Sequence, residues 1–433
     1  MPTVVILGGG LAGLSAAAAL GGAGYKVEIL ESRAFLGGRA TSWPAGEEAE
    51  VIDNCQHVLV RCCHNLLDFY SRMGVADKIR FYREFYFLEP GGRMSTLKRG
   101  MLPAPMHFAG SFLGLKFLGL ADKLRIGSAM LAIRRERHRT DLDRISMLDW
   151  LREKKQTARA IERYWRQVLV SAINEELDRM AAAHGFQMFW LSMLADNRSY
   201  EMGIPTVPLR DLYCQDAWAR LGAVAIRPRT SVSGIEINNS RVYSVFAGER
   251  RYSADYYISA LPFERLASLG IPVPEMEHSP ITGIHLWFDR PITSLPHATL
   301  LDRTIQWMFN KSEGKYVQLV VSASRSLTEM ARADVIALAV RELAEFFPIV
   351  KEASLEKAQV IKEVRATFSA RPGLERERPV TETALGNFYL AGDWTRTGWP
   401  ATMEGAVRSG YLAAEAVTKA AGAPKRFLIA DRA

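Results

Sequence analysis

A glycine-rich loop near the start of the chain most constrains what this sequence can fold into. Val4 to Leu7 reads as a short buried strand, Gly8 to Gly13 as a tight turn, and Leu14 to Leu20 as an alanine-rich helix. In such a unit the first glycine makes the turn, the second lets the backbone approach a pyrophosphate, and the third lets the helix pack on the sheet. The free N–H groups at the helix start then face the phosphates. The predicted cofactor-binding residues of this unit are Gly8, Gly10, Leu11, Ala12 and Gly13.

A second predicted strand, Tyr25 to Glu31, follows the helix. Glu31 falls at the spacing expected for a carboxylate that accepts hydrogen bonds from both hydroxyls of an adenosine ribose. Ser32 and Arg33 come directly after it, and we predict that they also contact the nucleotide. These features fit NAD and FAD equally well, so the choice between the two depends on residues elsewhere.

Two further segments carry the nucleotide prediction. In Arg33 to Arg39, two glycines bring the backbone close to a ligand and Arg39 brings a guanidinium suited to phosphate oxygens. At the other end of the chain, Phe388 to Ala391 reads as a strand, and Thr402 to Val417 reads as a helix whose N-terminal amides suit an anionic or carbonyl group. The predicted contacts here are Gly38, Arg39, Gly392, Asp393, Thr402, Met403 and Ala406.

Taken together, the glycine loop, the Gly-Gly-Arg segment and the helix in "PATMEGAVRSG" resemble the flavin-dependent amine oxidase and phytoene desaturase superfamily. The resemblance implies FAD rather than NAD. It implies that Asp393 holds the ribityl and pyrophosphate region and that the helix at Met403 to Val407 points its N-terminus at the flavin ring. It also implies a strand that passes the adenine and brings backbone near Val232.

Four other stretches, at 51–75, 87–93, 174–179 and 203–209, resemble the hydroxysqualene dehydroxylases, squalene-associated flavoenzymes of bacterial hopanoid biosynthesis. This resemblance implies reduction of hydroxysqualene to squalene, with reduced FAD as the hydride donor. Three alternatives stay open: a carotenoid or phytoene desaturase acting on a polyisoprenoid, an amine oxidase, and a non-enzymatic prenyl-lipid-binding protein of the same fold. The reductant of the flavin is not indicated.

The cofactor segments lie at opposite ends of the sequence, which predicts a discontinuous domain. We expect an α/β, amine oxidase-like fold: a Rossmann-type FAD-binding domain from 1–65, 205–270 and 385–433, and an inserted mixed α+β substrate domain from 66–204 and 271–384. Within the second domain, 66–200 reads as mostly helical, whereas 280–370 mixes strands with a helix near 327–347.

The net charge of +8 suits nucleic acid or an anionic bilayer, and the sequence has no nucleic-acid-reading motif. The apolar stretch 101–127 is broken by Pro103 and Pro105 and followed by the basic run Arg134 to Arg139. It reads equally well as a helix lying in a bilayer interface or as a core helix flanked by a solvated charged face, and a hydrocarbon substrate favours the first reading. Four cysteines without a metal-binding or disulfide frame suit a reducing compartment. We therefore predict no metal site and a cytoplasmic protein, peripheral to the inner face of the membrane.

Loss of an allylic hydroxyl needs a proton donor and a dry cavity. Asp53 and His57 follow the Gly-Gly-Arg segment and are the first candidates for the donor. Glu175 and Glu176 are the second. A structural role is an equal reading for the histidine, and a solvated helix face or a helix-terminal ion pair is the favoured reading for the glutamates. The candidates to line the cavity are Phe189, Trp190, Tyr200, Trp394 and Trp399, each of which also suits plain packing.

Overall fold

A computed structural model describes residues 1–45, 50–213 and 215–431. The strands are β1 (Thr3–Leu7), β2 (Lys26–Leu30), β3 (Ser42–Pro44), β4 (Val51–Asp53), β5 (Leu59–Val60), β6 (Ile79–Tyr82), β7 (Glu84–Leu88), β8 (Met94–Lys98), β9 (Met202–Pro205), β10 (Val224–Arg227), β11 (Gly234–Asn238), β12 (Arg241–Ala247), β13 (Arg250–Tyr252), β14 (Tyr256–Ser259), β15 (His278–Phe288), β16 (His297–Leu300), β17 (Trp307–Ser312), β18 (Tyr316–Ser322), β19 (Leu355–Phe368) and β20 (Phe388–Leu390).

The α-helices are α1 (Leu11–Gly22), α2 (His64–Arg72), α3 (Ala109–Leu113), α4 (Leu120–Glu136), α5 (Met147–Glu153), α6 (Ala158–Ala160), α7 (Gln167–Ile173), α8 (Ala182–Phe189), α9 (Gln215–Trp218), α10 (Phe263–Ala267), α11 (Arg332–Phe346), α12 (Leu374–Glu377) and α13 (Met403–Ala420). Wider π-type turns at Ile161–Arg166 and Trp190–Leu194 join α6 to α7 and extend α8. Short 3₁₀ turns lie at Ala76–Lys78, Met106–Phe108, Leu209–Tyr213, Arg325–Leu327 and Pro348–Lys351.

A five-stranded parallel sheet holds the glycine loop. Its order is β10-β2-β1-β14-β20, so it draws strands from near both ends of the chain and from 224–259. Helix α13 packs against α1 so closely that a Cβ on Gly410 would lie 2.2 Å from the carbonyl oxygen of Ala12. The Rossmann-type sheet assembled from separated segments is confirmed. The exact domain boundaries given above stay a prediction.

A second sheet forms the mixed α+β unit. Its order is β19-β15-β18-β17-β16-β7-β8, and all its pairs are antiparallel except β16 with β7. One face of this sheet is covered by α11, whose buried residues Val335, Ala339 and Leu343 pack into a core with β15 and β18. The other face looks toward the segment that follows β4, because a Cβ on Gly283 would lie 3.4 Å from the carbonyl oxygen of Asn54.

The prediction that 66–200 is mostly helical is wrong for 79–98, which forms β6, β7 and β8. Aromatic and β-branched residues dominate β6 and β7, and such side chains favour an extended backbone. Gly91 and Gly92, with φ of +88° and +82°, make the turn between β7 and β8. The remainder is helical and packs around Trp150, Trp165 and Phe189.

The apolar stretch 101–127 is not one helix. It contains the turn Met106–Phe108, the short helix α3 and the start of α4. Pro103 and Pro105 precede the first turn, and glycines at 114 and 119 flank the gap between α3 and α4, so the backbone breaks where a continuous helix is disfavoured. Within the described residues, no helix is both long and apolar enough to cross a bilayer.

Candidate functional site

The glycine loop has the backbone geometry of a phosphate cradle. Gly8 has a φ of +104°, and a Cβ on Gly13 would lie 2.0 Å from the carbonyl oxygen of Gly8, so both positions require glycine. At Gly10 the nearest atom to an added Cβ is the Cα of Gly38, at 3.9 Å. Space beside Gly10 is therefore open, whereas the space around Gly8 and Gly13 is filled by the protein itself.

The Gly-Gly-Arg segment forms the second side of this cradle. The N–H of Gly37 donates to the carbonyl of Gly9 at 2.8 Å, and Gly10 and Gly37 pair as an isolated parallel bridge. Gly37 and Gly38 have φ of +101° and +62°, which suits glycine. The two glycine segments thus face each other without side chains between them.

The carboxylate of Glu31 lies under the loop and is held by the backbone. The N–H of Gly9 donates to Oε2 at 2.7 Å, and the N–H of Arg33 donates to Oε1 at 2.7 Å. The hydroxyl of Ser32 donates to the same Oε1 at 3.2 Å. These bonds fix the carboxylate and leave lone pairs that can accept hydrogen bonds from ribose hydroxyls.

The segment before Val232 runs beside Glu31. The N–H of Thr230 donates to the carbonyl of Glu31 at 2.7 Å, and the N–H of Arg229 donates to that of Arg33 at 2.9 Å. The carbonyl of Val232 already accepts from Nη2 of Arg265 at 2.6 Å. This backbone therefore lies next to Glu31, one of its polar groups is taken by the protein, and its contact with the adenine stays a prediction.

Arg39 and Asp393 join the two ends of the cofactor site. Nη2 of Arg39 lies 2.6 Å from Oδ1 of Asp393, and Nη1 donates to the carbonyl of Ala366 at 2.7 Å. Gly392 has a φ of +140° and its N–H donates to the hydroxyl of Ser409 at 2.8 Å, which ties the end of β20 to α13. Both charged groups therefore sit at the mouth of the cradle.

A residue that the sequence did not single out, Arg378, holds the loop that carries Asp393. Its buried guanidinium donates to the carbonyls of Asp393 at 2.8 Å, of Trp399 at 2.8 Å, and of Thr395. Nη1 also pairs with Glu375 at 2.5 Å. In the sequence this arginine stands in the charged run "LERERP", which reads as solvated surface.

The first turn of α13 presents an open face. The hydroxyl of Thr402 caps the helix by accepting from the N–H of Gly405 at 3.1 Å. Thr402, Met403 and Ala406 are partly exposed, whereas Glu404 is buried, and it accepts from the N–H of Leu66 at 2.8 Å. The first turn of this 18-residue helix therefore combines partly exposed positions with N–H groups that have no partner within the helix.

Asp53 is buried among donors. Its carboxylate accepts from the hydroxyl of Ser42 at 2.7 Å, the N–H of Leu209 at 3.0 Å and Nζ of Lys311 at 3.2 Å. Lys311 also donates to Oε1 of Gln56 at 3.0 Å. Three donors therefore hold this carboxylate and its segment in place, while a part in catalysis stays a prediction.

His57 and Cys55 follow on the same segment. Nδ1 of His57 lies 2.9 Å from the carbonyl of Cys55, which assigns the ring proton to Nδ1 and leaves Nε2 without a partner among the described residues. Burial lowers the pKa of His57, despite the opposing effect of that hydrogen bond. Burial also raises the pKa of the Cys55 thiol to about 12. Of the first two candidates for proton donor, only His57 has a free polar atom.

The glutamates are held in ion pairs. Glu175 is fully buried and bonds both guanidinium nitrogens of Arg325 at 2.7 Å. Burial opposes its ionisation, but the hydrogen bonds from Arg325 and Ser369 outweigh burial and lower the pKa of Glu175. Glu176 pairs with Arg166 at 2.6 Å. These contacts give both residues a structural role, while a part in catalysis stays a prediction.

Most of the aromatic candidates pack in cores. Phe189 lies edge-to-face with Trp165 in the helical core, and Nε1 of Trp394 donates to the carbonyl of Leu261 at 3.1 Å. Trp399 bonds Asp431, and Trp190 lies against the guanidinium of Arg137. Of these five described side chains, Tyr200 is the one that contacts Phe85, a residue of the second sheet. The two ring centroids are 6.2 Å apart.

Comparison with known proteins adds the family and the fold. The family model of flavin containing amine oxidoreductases matches residues 11–418. The chain is 25% identical to 15-cis-phytoene desaturase of Synechococcus elongatus, over 96% of this chain and 95% of the relative. It is also 25% identical to a probable zeta-carotene desaturase of the same organism, over 96% and 98%.

Solved structures show the same fold at lower identity. An oxidoreductase from Methanosarcina mazei superposes with a TM-score of 0.71 at 19% identity and covers 94% of this chain and 98% of its own. Putrescine oxidase bound to putrescine superposes with a TM-score of 0.70 at 16% identity, over 97% and 98%. The expected amine oxidase-like fold is therefore confirmed.

The site fits a flavin dinucleotide. Open backbone at Gly10 and Gly38 suits a pyrophosphate, the clamped carboxylate of Glu31 suits a ribose, and the open helix start at Thr402 suits a flavin ring. The prediction of FAD is confirmed, whereas the individual contacts stay predictions. This chain is a flavin-dependent oxidoreductase with FAD as its cofactor, and it belongs to the family of flavin containing amine oxidoreductases.

Proposed function

We propose that this enzyme acts on a polyisoprenoid and that its reaction is the reductive dehydroxylation of hydroxysqualene to squalene. The observation that carries the substrate class is a cluster of packed apolar side chains beside Cys55, called the apolar wall below. Its buried members are Cys55, Met202, Phe309 and Val320, and its partly buried members are Phe85, Ile204, Ile281 and Trp307. Aliphatic and aromatic side chains suit a hydrocarbon, and the described cluster contains no carboxylate that would pair with an ammonium group, so it favours an isoprenoid over an amine.

The relatives support the same substrate class, because the two named above are a phytoene desaturase and a probable zeta-carotene desaturase. The choice of hydroxysqualene rests on the four stretches that resemble the dehydroxylases. Two of these stretches, 51–75 and 203–209, meet in the structure: β9 pairs with β5, and the N–H of Leu209, just beyond β9, donates to Asp53. The resemblance therefore includes the segment that carries Asp53 and His57.

The reaction breaks the allylic C–O bond, releases water and forms one C–H bond. When bound and reduced, FAD supplies the hydride. The chain must supply a proton to the departing oxygen and exclude water from the allylic cation. We assign the role of proton donor to His57, because its Nε2 has no partner within the described residues. Asp53 and Lys311 would orient the segment that carries His57. The parallel rings of Trp307 and Phe309, 5.6 Å apart, would face the cation.

The proposed cofactor contacts are those predicted from the sequence, with Arg378 added as a positioning residue for the Asp393 loop. The protein is proposed to work in the cytoplasm as a peripheral protein of the inner membrane face, because its substrate would reside in the membrane. A separate electron donor, which the sequence does not indicate, would reduce the flavin.

An anaerobic turnover experiment tests this function. Purified holoenzyme is reduced with dithionite, mixed with hydroxysqualene in detergent, and the extract is examined for squalene by mass spectrometry. Formation of squalene in proportion to flavin oxidised is the expected result. His57→Gln should retain FAD and slow squalene formation about a hundredfold, the usual size of a general-acid contribution. His138→Gln, at an exposed histidine, is the matched control.

A carotenoid desaturase is the second candidate, and the identity to desaturases over 96% of the chain favours it. It would run hydride transfer from substrate to oxidised flavin. The same preparation, oxidised and supplied with phytoene and a quinone, distinguishes the two. Desaturated product with no squalene in the first assay would replace the dehydroxylase proposal. The complete dinucleotide cradle favours either enzyme over a prenyl-lipid-binding protein.

A further inference from the structure

One part of the surface combines exposed apolar side chains with most of the chain's excess charge. Seven of the fifteen large apolar side chains that are exposed in the described residues fall between 101 and 131. Residues 98–139 hold nine lysines and arginines against two carboxylates, a surplus of seven where the whole chain has a surplus of eight. Residues 98–139 are called the basic apolar face below.

In helix α4 the exposed apolar side chains belong to a regular helix and not to an irregular loop. Its inward side buries Ile126, Ala129 and Ile133, which belong to the helical core. Its outward side carries Leu120, Leu124 and Leu131, each more than half exposed. The spacing of four and seven residues places these three leucines on one stripe. The helix therefore has two apolar sides, of which the protein covers only one.

The neighbouring segments lie beside this stripe. Nζ of Lys123 donates to the carbonyl of Leu113 at 2.7 Å, which brings the exposed end of α3 next to the first turn of α4. The N–H of Gly100 donates to the carbonyl of His107 at 2.6 Å and closes a loop that exposes Met101, Leu102 and Met106. The apolar residues thus belong to adjoining elements.

Apart from Lys98 and Arg139, the basic side chains around them have no carboxylate partner among the described residues. Of the two carboxylates, Asp122 is buried and bonds the hydroxyl of Thr157 at 2.5 Å, and Glu136 bonds Trp150 and Lys154. Among the described residues, no carboxylate lies within ion-pair distance of the exposed side chains of Lys116, Arg125, Arg134 or Arg135. The face therefore presents cations around an apolar centre.

We propose that the basic apolar face docks on a bilayer of anionic lipid, with the leucines and methionines among the acyl chains and the basic residues at the headgroups. Charge complementarity favours anionic lipid over a second copy of this chain as the partner, because two copies of the same face would bring like charges together. A row of packed rings connects the face to the apolar wall: His107 contacts Tyr200, with ring centroids 5.8 Å apart, and Tyr200 contacts Phe85 at 6.2 Å. This orientation rests on the proposed function, since it brings a membrane-borne substrate to the wall.

Vesicle flotation tests the surface directly. The FAD-loaded protein is mixed with vesicles of phosphatidylcholine alone or with phosphatidylglycerol, at about 0.1 M and about 1 M salt, where the Debye length falls from about 10 Å to about 3 Å. We expect flotation with anionic vesicles that weakens at high salt. Arg134→Glu/Arg135→Glu should lower the partition coefficient at least about tenfold. Leu120→Ser/Leu124→Ser/Leu131→Ser should abolish binding at both salt concentrations.

Two matched control variants test whether the loss of vesicle binding is specific to the basic apolar face. Arg332→Glu/Arg341→Glu reverses two exposed charges on α11, and Ile237→Ser/Val364→Ser removes exposed apolar side chains elsewhere, so both should float like the wild type. Flotation of the face variants equal to wild type would overturn the proposal. The proposal would also be overturned if light scattering showed that the face variants lose a dimer while their vesicle binding does not change. Turnover in detergent separates this test from the proposed function, because the face variants should retain full activity there.

Discussion

Arg39 and Asp393 stand 354 residues apart in the sequence, yet Nη2 of the arginine lies 2.6 Å from Oδ1 of the aspartate. This pair connects the loop after β2 to the loop after β20 at the mouth of the cofactor cradle. Asp393→Asn should therefore weaken FAD binding through both the lost charge and the released Arg39 loop. We expect at least a tenfold increase in the dissociation constant, measured by flavin fluorescence titration. An unchanged dissociation constant would show that Arg39 and Asp393 do not belong to the FAD site.

Gly10 and Gly13 should respond differently to substitution. At Gly10 a side chain enters open space, and its φ of −77° suits any residue, so Gly10→Val should fold but lose FAD. At Gly13 an added Cβ would meet the carbonyl oxygen of Gly8 at 2.0 Å, so Gly13→Ala should destabilise the protein itself. Visible flavin absorbance together with thermal unfolding of the apoprotein separates the two effects. Full flavin occupancy in Gly10→Val would show that the pyrophosphate lies elsewhere.

Arg378 should matter to stability as well as to cofactor binding. Arg378→Met leaves the carbonyls of Asp393 and Trp399 buried without their donor. We expect the free energy of unfolding to fall by about 3 kcal/mol or more, the cost of breaking a buried charged network. Urea denaturation of the FAD-free protein measures this change. Arg376→Met, two residues earlier and exposed, should unfold like the wild type.

The stability of the protein should fall in acid through His297. This fully buried ring is surrounded by Tyr82, Tyr86 and Phe309, and neither nitrogen has a hydrogen-bond partner in the part of the chain that the structure describes. Burial lowers its pKa to about 4, so the folded state binds the proton less tightly than the unfolded state does. The stabilisation is therefore complete above about pH 6.5 and is lost as the pH falls toward 4.

A phenylalanine at this position removes the titration. Between pH 7 and pH 4.5, His297→Phe should lose about 2 kcal/mol less unfolding free energy than the wild type. Denaturation curves at the two pH values provide the measurement, and His138→Phe is the exposed control. An equal loss in both proteins would show that His297 is already protonated or solvated when folded.

The rate of turnover, unlike the stability, should rise as the pH falls. If protonated His57 donates to the substrate oxygen, its lowered pKa keeps the active form scarce at neutral pH. The rate of squalene formation should then rise as the pH is lowered through 6.5 and keep rising below it, while His57→Gln should be slow and flat. The profile is measured under single-turnover conditions with reduced holoenzyme. A wild-type rate independent of pH would move the proton to water or another group.

The cofactor half of the site could be predicted because its information is local. Gly8, Gly13 and Glu31 fall within one β-α-β unit of β1, α1 and β2, and the spacing between them is set by one turn, one helix and one strand. The role of Asp53 could not be predicted in this way, because it depends on Lys311, 258 residues further along the chain. Arg378 was missed for a similar reason, since nothing in a charged run shows which of its members is buried.

The edge of the nucleotide-binding sheet has a consequence for synthesis on the ribosome. Strand β20 begins at Phe388, and its only sheet partner among the described strands, β14, is made more than a hundred residues earlier. Until the last part of the message is translated, β14 leaves the exit tunnel with one side unpaired, which is the arrangement that invites wrong strand pairing. We expect a nascent chain of this protein to need chaperone protection until β20 has been made. A chain that ends before β20 would lack Asp393 and helix α13, so we expect it to hold no FAD.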